Sequence, residues 1–225
     1  NVFKISSSDI ANFPLIDEIR KKRKPIILST GASNLTEIRE ALKLINKSVK
    51  KVVLMHCILN YPTKDENANL NMITSLKKEF PECIIGYSDH TLPSKDMQNL
   101  LTSYVLGGKV IEKHFTLSKT KKGNDHYHSF DKKDLVIFNK KINSLIKTLG
   151  SNQKNFLNSE IISRKNARRS LVLTKDLPKG HTIKKNDLIA KRPASGISPK
   201  YIKKILGKKL KYNLKFDDIL KWKHI

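Results

Sequence analysis

The sequence predicts an α/β protein: the C-terminal part of a (β/α)8 barrel, followed by a small β-rich domain. Three observations carry that prediction. Short apolar runs begin near residues 2, 25, 51, 83 and 109, a spacing of 23 to 32 residues that suits parallel strands, whose crossovers need a dozen or more residues. Between the runs lie stretches with apolar residues at three-to-four spacing, the pattern of helices packed outside a sheet. Polar residues close all five runs, as "SSSD", "STG", "HCILNYPT", "SDHT" and "EKHFT". A barrel gathers all its strand ends into one mouth, whereas an open sheet concentrates its site at one crevice, and no G-x-G-x-x-G follows any run.

The elements read in order as follows. The strands are "VFKI", "PIILS", "KVVLMHC", "CIIGYS" and "KVIEKHF". The helices between them are "NFPLIDEIRKKR", "SNLTEIREALKLINK", "NLNMITSLKKEF" and "PSKDMQNLLTSYVLG", and Ser33 or Asn34 with Glu37 forms a capping box for the second. A fifth helix is expected near Lys132 to Leu149. These elements place a partial barrel at 1–150, with three strands expected upstream of Asn1. Residues 151–166 are polar and aperiodic and read as a linker. In 167–225 the grammar changes to short β-like runs broken by Pro178 and Gly180, with a small helix in "SPKYIKKIL".

Composition narrows the function classes. The chain has 225 residues, enough for a real core, and 38% hydrophobic with 29% charged content suggests neither disorder nor a coiled coil. No run approaches the roughly 18 apolar residues of a membrane span, and no signal-like start opens the chain, so a cytoplasmic protein without a membrane partner is expected. The two cysteines, Cys57 and Cys83, lie in apolar runs and read as small buried hydrophobes rather than a disulfide. A formal charge of +25 invites a nucleic-acid reading. Against it, only seven of the 45 basic residues are arginine, the usual residue of bidentate recognition, and the lysines spread along the whole chain without aromatic interleaving.

The chemistry points to the strand ends. His90 and His114 stand 24 residues apart at the ends of consecutive strands, each flanked by an acid, Asp89 or Glu112. Adjacent strands lie about 5 Å apart, so the two imidazoles are placed to share one divalent ion in an open site for manganese, magnesium or a similar cation. A lone strand-end histidine is more often satisfied by a neighbour; two in equivalent positions argue for a site. His56 also ends a strand but stands between a structural and a site role. In the loop "KKGNDHYHSF", Asp125, His126 and His128 are within reach of the mouth, although any one polar loop residue is more often simply solvated. Ser7, Ser29, Thr30 and Ser88 with Lys4 offer hydroxyls and a cation suited to a small phosphate or carboxylate substrate.

Together, "KISSSD", "KPIILSTGAS", "HC" with "YPT", "IIGYSDHT", "IEKHFTL", "GNDH" and "KGHTIKKNDLIAKRPASGI" resemble the N-acetylneuraminate (sialic acid) synthases, including the legionaminic and pseudaminic acid synthases. The resemblance runs from Lys4 to about Gly207. It implies a (β/α)8 barrel followed by an antifreeze-like (SAF) domain. It also implies aldol-type condensation of phosphoenolpyruvate with an N-acetylated hexosamine, N-acetylmannosamine or a diacetamido-trideoxyhexose, releasing phosphate and giving a nine-carbon 2-keto acid. On that resemblance His90 and His114 are ligands of a divalent metal, Mn2+ foremost, with Mg2+ or Co2+ as alternatives. Lys4, Ser7, Ser29 and Ser88 stand around phosphoenolpyruvate, and Asp9, Tyr61 and Asp125 hold the sugar, so that His90, His114 and Asp125 form the catalytic set. Arg192 in "KRPASG" resembles the arginine that reaches the partner's barrel in a domain-swapped homodimer.

The chain departs from the family pattern in three places. Leu59 stands where serine or asparagine is common, with Asn60 beside it to compensate, and Asp217 replaces a turn glycine. The upstream strands, which in the family supply a catalytic glutamate, lie outside these residues, so the 225 residues alone are expected to be inactive. Two competing readings are a basic carbohydrate- or nucleic-acid-binding protein with a non-catalytic barrel, and a Schiff-base aldolase using Lys4.

Overall fold

The computed structural model describes residues 1–225, which divide into two units, Asn1–Gly150 and Ser151–Ile225. In the first unit five strands, β1 (Phe3–Ile5), β2 (Ile26–Ser29), β3 (Val52–His56), β4 (Ile84–Asp89) and β5 (Val110–Lys113), form one parallel sheet in sequential order. Four helices connect them, α1 (Phe13–Lys21), α2 (Leu35–Ile45), α3 (Asn71–Glu79) and α4 (Gln98–Val105), and α5 (Lys132–Leu149) follows the last strand. Every strand and helix expected in residues 1–150 is present.

Local chemistry sets the helix starts. Asn34, rather than Ser33, caps α2: its side-chain oxygen accepts from the Thr36 and Glu37 N–H groups, and the Glu37 carboxylate accepts from the Asn34 N–H at 2.8 Å. Asp131 and Asp134 repeat the same box at the head of α5.

The sheet's two faces differ, because successive side chains point to opposite sides. Ile5, Ile26, Leu28, Val52, Leu54, Ile85 and Tyr87 are buried against the helices and form the core of this unit. Burying each aliphatic side chain of this size contributes about 1.5–3 kcal/mol. The other face carries Ile27, Val53, Ile84 and Val110, none of them fully buried, with Ile84 53% exposed. That second face also bears the polar strand ends.

The second unit opens with a short helix, α6 (Ile161–Ala167), inside the stretch expected to be an aperiodic linker. Glu160 explains the local order, since its carboxylate accepts from the Leu157 N–H at 2.7 Å and starts the turn that α6 continues. Beyond it, β6 (Ser170–Leu173) and β7 (Leu188–Lys191) pair antiparallel, with further bridges at Leu177, Thr182 and Ile219 and a four-residue helix, α7 (Ile202–Ile205). Leu171, Leu173, Ile183, Ile197, Ile205 and Leu220 form a second core. Asp217 holds φ +68°, the left-handed backbone that aspartate tolerates better than most residues, and its carboxylate pairs with Lys191.

Candidate active site

Strand alternation decides which residues meet. His90 and His114 each follow the last residue of a strand, and both project to the face opposite the helix-packed core. Their rings stand 5.3 Å apart, edge to face. The residues between them in alternation, Asp89 and Lys113, turn the other way and pair across β4 and β5 at 2.8 Å, almost wholly buried. Asp89 also accepts from the Tyr87 hydroxyl and from the N–H and hydroxyl of Thr91. This network fixes the strand ends from behind while the histidines face the site. The acid beside His90 is therefore an anchor rather than a site residue.

The loop after β5 closes the cluster. Asp125 lies 3.7 Å from His114 Nδ1 and 3.9 Å from His128 Nε2, and one ligand atom of each of these three residues falls within 4.8 Å of the others. The Tyr61 ring lies tilted 4.3 Å from that of His90 and within 6 Å of those of His114 and His128. His90 Nδ1 faces the Ile58 carbonyl at 2.7 Å; donating there leaves its Nε2 lone pair free. Burial lowers the pKa of His90 and of His128, which favours the neutral ring that can ligate a metal. His128 is fully buried, yet neither ring nitrogen has a hydrogen-bond partner. An unsatisfied buried polar group costs about 1–3 kcal/mol, and a cation would satisfy the orphaned His128 imidazole together with His114 and the Asp125 carboxylate, whose ligand atoms converge; His90 stands beside this group and is not part of it. The donor set therefore fits a divalent metal.

A second polar network lies on the same face. Lys4 Nζ donates to Ser29 Oγ at 2.9 Å and pairs with Glu112 at 3.2 Å, and Ser88 donates to Glu112 at 2.8 Å. Glu112 was noted in the sequence only as an acid flanking His114. Its position two residues before His114 puts both on one face, and that period is the signal that identifies it. Ser7 Oγ accepts from the Gly31 N–H and lies 3.1 Å from Cys57 Sγ, so it ties loop to loop behind this network.

The remaining expected residues are placed less centrally. The Asp9 carboxylate accepts from Ser6 and Asn12, bonds that lower its pKa. Asn60 is exposed, its carbonyl accepting from the Thr63 hydroxyl. Arg192 lies in the second unit, exposed, just past β7. Thr30 is occupied with the Met55 carbonyl, and His126 Nδ1 with the Thr116 hydroxyl. His56 is structural: it lies on the core face, stacks on Tyr87 and bonds to the Ala68 carbonyl at 2.8 Å. A cavity of about 700 Å³ between α2 and α3 touches His56 and Cys57 but none of the clustered histidines, so it belongs to the helix layer.

Residues 1–154 match the NeuB family and residues 168–225 the SAF domain. An uncharacterized protein of Methanocaldococcus jannaschii is 41% identical over 98% of this chain. The N,N'-diacetyllegionaminic acid synthases of Campylobacter jejuni and Legionella pneumophila are 39% and 37% identical over 98% and 99% of it. The chain spans 64%, 66% and 63% of the lengths of these three relatives. Among solved structures, spore coat polysaccharide biosynthesis protein E of Chromobacterium violaceum superposes with a TM-score of 0.85, covering 98% of this chain and 66% of that one; at 22% identity this speaks for the fold alone. The N-acetylneuraminic acid synthetase of Leptospira borgpetersenii is 32% identical, with a TM-score of 0.65, over 72% of this chain and 55% of its own. The chain belongs to the NeuB family, with a SAF domain following its α/β unit.

Proposed function

We propose that these residues form the strand-end half of a sialic-acid-type synthase active site, one that condenses phosphoenolpyruvate with an N-acetylated hexosamine and releases phosphate to give a nine-carbon 2-keto acid. The observation that carries the reading is the meeting of His90, His114, Asp125 and Tyr61 beside the Lys4–Ser29–Ser88–Glu112 network on one face of the sheet. The names of the two bacterial relatives favour a diacetamido sugar over N-acetylmannosamine.

In this reading His90 and His114 hold a divalent cation, which when bound polarises the aldehyde of the open-chain sugar. Lys4 exchanges its contacts with Ser29 and Glu112 for the anionic groups of phosphoenolpyruvate, with Ser29 and Ser88 donating beside it. Ser7 holds the Gly31 loop in place under that anion. Asp125, 59% exposed at its side chain, accepts from the sugar hydroxyls. Tyr61, whose ring lies 4.3 Å from that of His90, packs against the sugar. Asp9 and Asn60 contribute at the rim. Arg192 reaches the partner's site in a domain-swapped homodimer.

The same reading completes the sheet as a (β/α)8 barrel with three further strands. Parallel sheets are covered on both faces, yet here the face bearing Ile27, Val53, Ile84 and Val110 is only partly covered. The outer strands β1 and β5 each have one unpaired edge, and Val2 and Phe3 at the first are exposed apolar residues. Closure would bury all of these.

The test is phosphate release by these residues in a chain of the relatives' full length, given phosphoenolpyruvate, Mn2+ and each candidate hexosamine in turn. Release with a diacetamido sugar and not without sugar is expected; no release with any sugar from a folded, metal-binding protein sinks the reading. His114→Ala is expected to abolish release and to weaken Mn2+ binding on the order of 100-fold. Retained activity would overturn the metal assignment.

A further inference from the structure

His128 lies outside every motif that carries the family resemblance, two residues past the end of "GNDH". Its placement is nonetheless the most unusual in the molecule. It is fully buried, and its two ring nitrogens are the only buried side-chain polar atoms without a hydrogen-bond partner. Its Nε2 lies 3.9 Å from the Asp125 carboxylate, and its ring stands 5.2 Å from that of His114. Burial without a partner is costly for an imidazole, and folding tolerates it where a ligand completes the group. A proton donor or acceptor from the protein would have served packing equally well, but none is present.

We propose that His128 is a further imidazole ligand of the cation held at this site, and that the resulting His114–Asp125–His128 donor set selects a borderline transition ion over a hard one. The proposal rests on the reading that His114 and Asp125 face a metal. Carboxylates, carbonyls and water suit Mg2+ and Mn2+, whereas imidazoles suit Fe2+, Co2+, Ni2+ and Zn2+, whose affinities for nitrogen sites rise in the order Mn2+, Fe2+, Co2+, Ni2+. Each added imidazole widens that gap.

The experiment is a metal titration of the whole chain with Mg2+, Mn2+, Co2+ and Zn2+, in the unsubstituted protein and in His128→Ala, His128→Asn and His114→Ala. The expected result is one bound ion, with Co2+ and Zn2+ bound at least about 100-fold more tightly than Mn2+. His128→Ala and His128→Asn should cut Co2+ and Zn2+ affinity by about 10- to 100-fold and change Mn2+ affinity far less, collapsing the ratio. Should both substitutions unfold the protein, ring-nitrogen NMR of the unsubstituted chain decides: Zn2+ must shift a His128 ring nitrogen along with that of His114. An unchanged Zn2+ to Mn2+ ratio in the His128 variants, or an unmoved His128 ring, overturns the proposal. If His114→Ala still loses metal in that case, the site reading stands without His128. If no ion binds the unsubstituted chain, or His114→Ala binds as well as it does, the site reading falls too.

Discussion

Lys113 and Asp89 show how single residues position a site without touching it. Their side chains are 6% and 3% exposed, and they pair at 2.8 Å on the face away from His90 and His114. Burial lowers the Lys113 pKa, and Asp89 counters that by holding the ammonium charged. Removing one member of a buried pair leaves an uncompensated charge, which typically costs about 3–5 kcal/mol. Lys113→Met is therefore expected to destabilise the first unit by about that amount in urea unfolding. A loss under 1 kcal/mol would show that the pair is solvated rather than structural. The sequence shows an acid or a lysine beside each histidine. Strand alternation sends each to the face opposite its histidine, but only the structure shows that Asp89 and Lys113 meet there as a buried pair, so that the acid flanking His90 is an anchor.

At the scale of the element, helices and strands were legible because their signals are local. The capping box of α2 is complete in four consecutive residues, and Asn34→Ala, which removes both N–H contacts, is expected to cost about 1 kcal/mol in thermal unfolding followed by circular dichroism. No measurable change would mean that packing alone holds α2. The helix at Ile161–Ala167 was missed for the complementary reason. Its seven residues carry too few turns for a periodic apolar stripe, and none of them is buried. Loop conformation was equally opaque: His126 and His128 look alike in sequence, but one bonds to Thr116 and the other is buried beside His114.

For the whole molecule, each unit has its own core, and the second has its own pH dependence. Burial of the Asp187 carboxylate would raise its pKa, but hydrogen bonds from His181, the Lys184 N–H and Lys175 outweigh it and hold the value at about 2. A carboxylate depressed in the folded state stabilises above its unfolded value near 3.8, and that stability is lost as pH falls through the folded value. The shift corresponds to about 2 kcal/mol. Trp222, the sole tryptophan, lies in this unit, so its fluorescence should report that loss between about pH 4 and pH 2, and Asp187→Asn should abolish the slope. An identical slope in the variant would assign the titration elsewhere. By itself the sequence determined the α/β rhythm, the five strand ends, the two histidines and the family, because apolar period, caps and contiguous motifs are short-range features. Only the tertiary structure decided that Glu112 joins Lys4 and Ser88, that His56 faces the core, and that His128 is buried against His114 with both ring nitrogens free. Those outcomes depend on side-chain direction at strand ends and on the path of a loop, which are fixed by contacts between residues distant in the chain.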